Sequence, residues 1–192
     1  MRPPSLEDEI SRALEVLKKG GIILYPTDTI WGIGCDATND EAISKIFSLK
    51  QREESKSLIV LLDTDNKLLR YVKEVPEQAW TLIEYSERPL TIIYENGLNV
   101  SKKILGDDGS LAIRITKDPF CQQLIHKFGK PLISTSANIS GELPPASFHH
   151  ITPAVLNGVD YVVNLRQNDK STSKPSVIMK IGLNGEVKFI RK

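Results

Sequence analysis

Residues 21–29 read Gly-Ile-Ile-Leu-Tyr-Pro-Thr-Asp-Thr, an apolar run from Ile22 to Tyr25 cut off by Pro26 and followed by the polar turn Thr27-Asp28-Thr29. Proline supplies no N–H to a ladder, so the run reads as a buried strand that delivers a hydroxyl-rich tip. Just upstream, Ser5 and Asp8 have capping-box spacing, and Leu6, Ile10, Ala13, Leu14 and Leu17 recur at helical intervals until Gly20-Gly21 stops the pattern. An amphipathic helix that feeds a buried strand is how an α/β sheet begins.

The alternation continues outward. Thr38 and Glu41 predict a capped helix running through Phe47 and ending at Lys50-Gln51-Arg52, and Leu58 to Leu62 reads as the next buried strand. Lys67 to Val72 and Pro76 to Tyr85 have helical spacing, the latter with Pro76 suited to a first turn. Leu90 to Tyr94, Leu111 to Ile115 and Pro131 to Ser134 read as strands, with a helix over Asp118 to Phe128 between the last two. Three β-like runs close the chain, Tyr161 to Leu165, Val177 to Ile181 and Val187 to Ile190, the last two joined by a turn containing Asn184-Gly185. The expected fold is α/β, an open, twisted mixed sheet with flanking helices.

The chain has 192 residues, 40% hydrophobic and 26% charged, the make-up of one soluble domain spanning residues 1–192. Disordered, collagen-like and disulfide-scaffold classes are excluded by that composition. Lys and Arg total 25 against 24 Asp and Glu, a net charge of +1, so a basic surface has to come from local arrangement. The first residues are acidic rather than basic and no apolar run approaches membrane-spanning length, which predicts a cytoplasmic protein. Cys35 and Cys121 are then expected to be reduced, buried side chains.

Two segments carry chemistry. Lys50, Arg52 and Lys56 fall between a helix end and a buried strand, where they converge above the strand ends, and a guanidinium with two ammoniums suits a polyphosphate. A solvated cluster neutralised by Glu53 and Glu54 is the plainer reading. The second segment, Ser134-Thr-Ser-Ala-Asn138-Ile-Ser-Gly141, follows an apolar strand, and its small hydroxyls and sparse glycines let backbone N–H groups approach an anion. It fits no Walker or Rossmann pattern. Gln167 to Ser176 holds no apolar residue and reads either as a solvated loop or as a lid.

Together, Tyr25-Pro-Thr-Asp-Thr29 with Gly32-Ile-Gly34, Lys50-Gln-Arg52 with Lys56, Leu111-Ala-Ile-Arg114 and Ser134 to Gly141 resemble the YrdC family of threonylcarbamoyl-adenylate synthases, in order and from about Leu17 to Arg191. The resemblance implies a sheet with a basic concave face. It also implies formation of threonylcarbamoyl-AMP and pyrophosphate from L-threonine, bicarbonate and ATP with Mg2+, the metal carried by ATP. A downstream transferase complex would pass the threonylcarbamoyl group to tRNA, and double-stranded RNA is a further partner the family implies.

By the same resemblance Thr29, Arg114, Ser134 and Ser176 contact L-threonine, with Arg114 on its carboxylate. Lys50, Arg52, Lys56, Ser110, Ser136, Asn138 and Arg191 contact the nucleotide, and Lys50 and Arg52 serve as the catalytic cations. Leu61 stands where many relatives have a His, and Trp31 where Tyr or Phe is commoner. The alternative function is a non-catalytic RNA-binding protein of the same fold, acting in translation or ribosome maturation, which has no use for Thr29 or Ser176. A hydrolase built on Cys35 with His126, His149 or His150 lacks a nucleophile elbow, and the adjacent His149 and His150 suit exposed loop positions better than a zinc site.

Overall fold

A computed structural model describes residues 5–51, 58–169 and 174–192. The opening helix, α1 (Leu6–Lys18), is closed by the expected box, with Ser5 Oγ accepting from Asp8 N and the Asp8 carboxylate accepting from Ser5 N. It leads into β1 (Ile23–Tyr25), and the chain doubles back as the antiparallel β2 (Gly32–Gly34). The sequence pattern does not announce β2, because two of its residues are glycine and glycine carries no strand preference. At Gly34 packing is what demands the glycine. A Cβ on Gly34 would lie 2.3 Å from the Ile133 carbonyl oxygen and 2.6 Å from the Tyr25 ring, whose hydroxyl donates to that same carbonyl at 2.9 Å.

The helix α2 (Asp40–Lys50) is capped by Asn39 rather than by Thr38, since the Thr38 N–H and hydroxyl are both engaged with the Asp36 carboxylate. After β3 (Ile59–Leu62), the helix expected over 67–72 is a 3-10 turn, Asp65–Arg70, and Pro76 sits at the cap of α3 (Glu77–Tyr85), one position before its first turn. Then follow β4 (Leu90–Tyr94), β5 (Leu111–Ile115), α4 (Pro119–Phe128) capped by Asp118, and β6 (Leu132–Ser136). A short helix that sequence reasoning missed, α5 (Pro153–Gly158), precedes β7 (Tyr161–Val162). β7 is shorter than the run 161–165 suggests because the Asn164 N–H leaves the sheet for the buried Glu9 carboxylate, 2.7 Å away. β8 (Val177–Ile181) and β9 (Val187–Arg191) close the chain as a hairpin.

The strands form one mixed sheet in the order β7-β1-β2-β6-β3-β5-β4-β8-β9. Because side chains alternate along a strand, the register assigns each to a face. Leu24, Ile33, Val60, Ile92, Ile113, Ile133 and Met179 lie on one face, packed into a continuous core with α2, α3 and α5. On the other face Ile23, Tyr25, Leu61 and Leu132 meet α1 and α4 through Ile10, Leu17, Phe120 and Leu124. These two helices stop short. The row Leu132, Leu61, Arg114, Thr91, Ile178, Arg191 crosses six strands by direct pairing, and only its first two members belong to the core beneath α1 and α4.

Gly34→Ala tests the β1–β2 packing. The added methyl meets backbone on one side and a buried ring on the other, so a stability loss of about 1–3 kcal/mol or more is expected in urea unfolding. A loss below about 0.5 kcal/mol, within the range of a neutral surface change, would contradict this reading.

Candidate functional site

Where the second face is left uncovered, a cavity of about 210 Å³ opens, lined by Thr29, Trp31, Gly32, Ile59, Arg114, Ser134, Ser136, Pro144, Ser176, Ile178 and Arg191 among others. Its floor is the sheet itself, and Thr29, Ile30 and Trp31 form its wall on the β1 side, at the end of the Thr27-Asp28-Thr29 turn. Thr27 Oγ1 holds that turn by accepting from Thr29 N at 3.0 Å and donating to the Ile30 carbonyl at 2.8 Å. Trp31 is packed against Phe148 with ring centroids 4.9 Å apart, which fixes an aromatic wall.

Arg114 dominates the electrostatics. It is 3% exposed, donates from Nη1 to Thr29 Oγ1 at 3.2 Å, and faces Asp28 with Nη2 3.3 Å from Oδ1. Its Nε and Nη2 have no hydrogen-bond partner, and neither does Asp28 Oδ1. Nη2 and Asp28 Oδ1 are each other's ion-pair partners, and Nε is the donor left without an acceptor, a costly state for a buried guanidinium unless an anionic group accepts from it. Arg191 stands across the cavity and donates through Nε and Nη2 to the Ser176 carbonyl at 3.0 and 2.9 Å, and through Nη2 to Ser176 Oγ at 3.3 Å. Burial and the Arg114 charge hold its pKa below the usual arginine range. Among the described residues that line it, the cavity carries two guanidiniums, Arg114 and Arg191, and no carboxylate.

Thr29, Arg114, Ser134, Ser136, Ser176 and Arg191 therefore meet in one place although up to 162 positions separate them, 191 − 29 = 162. Lys50 and Asn138 lie behind the wall. Lys50 is 2% exposed and its ammonium donates to the main-chain carbonyls of Ser136 and Asn138 at 2.6 and 2.7 Å, so it braces the strand-end loop instead of projecting into the cavity. Asn138 closes its own loop by donating to the Ile139 and Glu142 carbonyls, with Oδ1 left unpartnered. Ser110 sits at the start of β5, its N–H on Asp108, away from the cavity wall. Arg52 and Lys56 lie outside the described residues.

The segment 167–176 is not the uniformly solvated loop that its composition suggests. Ser176 is 1% exposed and shares a hydrogen bond of 2.8 Å with the buried Thr91 hydroxyl. At the other end Arg166 pairs with Asp118 at 2.7 Å and reaches the Thr27 carbonyl. Residues 170–173, which the lid reading needs, lie outside the described residues. Thr91 is a site-supporting residue that sequence reasoning missed, and only its parity with Arg114 across β4 and β5 reveals it. Asp28 was visible inside the turn but carried no assigned role. Leu61 lies under α1 and α4.

Cys35 and Cys121 are buried, and desolvation pushes both thiols well above the usual cysteine range, so neither is a nucleophile. His149 and His150 sit exposed on a 3-10 turn. Among the described residues no group of three or more His, Cys, Asp or Glu could hold a metal ion, and no helix is long and apolar enough to cross a membrane.

Fold and cavity together define an α/β protein with an arginine-lined pocket on a half-open sheet. The chain belongs to the Sua5/YciO/YrdC family, whose model, described as telomere recombination, matches residues 15–192. It is 38% identical over 174 residues to a threonylcarbamoyl-AMP synthase of Vibrio parahaemolyticus, covering 89% of this chain and 93% of that protein. It is 32% identical to a protein of the same name from Pseudoalteromonas translucida, covering 94% and 97%. Sua5 of P. abyssi in complex with L-threonine superposes with a TM-score of 0.80 at 25% identity, over 92% of this chain and 52% of that one. E. coli YciO, at 22% identity, shares the fold with a TM-score of 0.83 over 98% and 90%.

Lys50→Met keeps the stem and removes the ammonium, leaving the Ser136 and Asn138 carbonyls without that donor. A loss of about 1–3 kcal/mol is expected in denaturant unfolding, with faster amide exchange at Ser140, whose N–H is bonded to the Lys50 carbonyl. Unchanged stability and exchange would show that the brace carries no weight.

Proposed function

We propose that this chain is an L-threonylcarbamoyladenylate synthase, a single-domain nucleotidyltransferase that forms threonylcarbamoyl-AMP and pyrophosphate from L-threonine, bicarbonate and ATP. The observation that carries the reading is the buried Arg114 guanidinium, its Nε without a hydrogen-bond partner, set beside the Thr29 hydroxyl in a cavity rimmed by Ser134 and Ser176. A carboxylate meets the guanidinium as a two-pronged acceptor, and hydroxyl donors around it suit the threonine side chain. Curated relatives at 32–38% identity over most of their length bear the name threonylcarbamoyl-AMP synthase, which favours the catalytic reading over the RNA-binding alternative.

In this reading the nucleotide enters from the side of Arg191, Ser136 and the strand-end loop that Lys50 braces, with Arg52 and Lys56 on its phosphates. Mg2+ arrives with ATP as part of the substrate. A carbamate oxygen formed on threonine attacks the α-phosphorus, the new O–P bond replaces the bond to the β-phosphate oxygen, and pyrophosphate departs toward the cations. Little acid or base chemistry is required of the protein, so positioning supplies most of the rate. Because the mixed anhydride hydrolyses readily, water exclusion matters, and the Trp31–Phe148 wall beside the cavity serves it. The product would pass to a transferase complex acting on tRNA in the cytoplasm.

Incubation of the purified protein with ATP, Mg2+, bicarbonate and labelled L-threonine should yield pyrophosphate and a labelled threonylcarbamoyl nucleotide, and formation of neither would overturn the proposal. Arg114→Lys keeps the charge and loses the fork. The KM for L-threonine should then rise about 10- to 100-fold, the loss of one charge-assisted hydrogen bond worth roughly 1.5–3 kcal/mol, while the KM for ATP stays within about twofold.

A further inference from the structure

The hydroxyl of Ser176 has two neighbours. Thr91 Oγ1 lies 2.8 Å from Ser176 Oγ, a distance at which either oxygen can be the donor. Arg191 Nη2 donates to the same Ser176 oxygen at 3.3 Å. Thr91 is fully buried, whereas Ser176, 1% exposed, lines the cavity. Among the described residues the Thr91 side chain has no other hydrogen-bond partner.

The backbone beneath both hydroxyls is fixed. Thr91 is paired with Arg114 on one side and with Ile178 on the other, and the Val177 N–H is bonded to the Pro89 carbonyl at 2.9 Å. The Ser176 carbonyl accepts from Arg191 Nε and Nη2 at 3.0 and 2.9 Å. The two hydroxyl oxygens are thus set in place, and only their protons have a choice of direction.

A hydroxyl offers one proton and two lone pairs, and a guanidinium only donates. If Ser176 donated to Thr91, the Thr91 proton would be left without an acceptor at a fully buried position, which costs the desolvation of that donor. If Thr91 donates to Ser176, the Ser176 oxygen accepts from Thr91 and from Arg191 and both its lone pairs are filled. The proton left over is then that of Ser176, on the residue that a ligand meets. This second arrangement moves the one uncommitted donor from the interior to the cavity wall.

We infer that Thr91 is a positioning residue that acts through Ser176: by donating to Ser176 Oγ it makes the Ser176 hydroxyl an obligate donor toward the cavity, which accepts a ligand oxygen there and turns away an N–H. The identity of the ligand as L-threonine, whose carboxylate and hydroxyl both carry acceptor oxygens, rests on the function proposed above. The direction of the hydrogen bond rests on the protein alone.

The direction is tested on the free full chain by NMR of slowly exchanging hydroxyl protons, with Ser176→Ala and Thr91→Val to assign the signals. The Thr91 hydroxyl proton should be protected from exchange with water and the Ser176 proton should not, until L-threonine is added. A Ser176 proton already protected in the free protein, or an unprotected Thr91 proton, overturns the inference. Calorimetric titration with L-threonine reads the consequence for binding. Thr91→Val is close to isosteric and removes the donor, so the Kd should rise about 3- to 10-fold, and Thr91→Ser should return it to within about twofold of wild type. In a Ser176→Ala background Thr91→Val should change the Kd less than about twofold, because no hydroxyl remains to be aimed. A merely structural role would weaken binding by the same factor in both backgrounds, and that result, or wild-type affinity in Thr91→Val, overturns the role of Thr91. A wild-type protein that binds no L-threonine overturns the functional reading, while exchange in the free protein still decides the direction of the Thr91 hydrogen bond.

Discussion

Burying a guanidinium costs several kcal/mol unless its charge and its N–H groups are met, and Arg114 is buried with only part of both satisfied. Such a residue persists when the surrounding fold fixes it and a ligand completes it. The fold here does the fixing. Arg114 stands on a central strand, paired on one side with Leu61 of β3 and on the other with Thr91 of β4, so its backbone has no freedom to withdraw the side chain. The Thr27–Thr29 turn then closes over it from β1.

The rest of the architecture follows from what covers this face and what does not. α1 and α4 cap the sheet over Tyr25, Leu61 and Leu132, and their coverage ends one strand short of Arg114. The row continues through Thr91, Ile178 and Arg191 into the hairpin of β8 and β9, whose last residues supply the second guanidinium. Ser176 ties the two halves together, sharing a hydrogen bond with Thr91 beneath it and accepting from Arg191 beside it. A buried tyrosine packed against Gly34 and a buried lysine under a strand-end loop are the other fixed points. In each, a polar tip is bound to main-chain carbonyls, Tyr25 to Ile133 and Lys50 to Ser136 and Asn138.

Much of this was legible in the sequence where local chemistry decides it. The capping box at Ser5, the Asp118 cap and Gly129 stop of α4, and the apolar runs of β3, β4, β5 and β8 each follow from propensity or periodicity over a few residues. β2 was not legible, since its two glycines, of which Gly34 leaves room for Tyr25, erase the strand signal, and α5 was too short to show a period. The candidate site residues came from family resemblance, and the gathering of six of them around one cavity was not legible, because a row across six strands exists only through register. Lys50 illustrates the limit most plainly. Its charge and its grouping with Arg52 and Lys56 between a helix end and a strand suggested a phosphate ligand, whereas burial gives its ammonium to carbonyls, a distinction that no spacing encodes.

The central claim, that Arg114 is the open receptor of this face and Arg191 the separate one, is read most directly from the guanidinium N–H signals of the two arginines in nitrogen-15 NMR. On addition of L-threonine without nucleotide, the Arg114 Nε–H resonance should shift and its exchange with water should slow, while that of Arg191 stays in place. An Arg114 signal that does not move, or an equal response from both arginines, would contradict the assignment of the amino acid to the Arg114 corner.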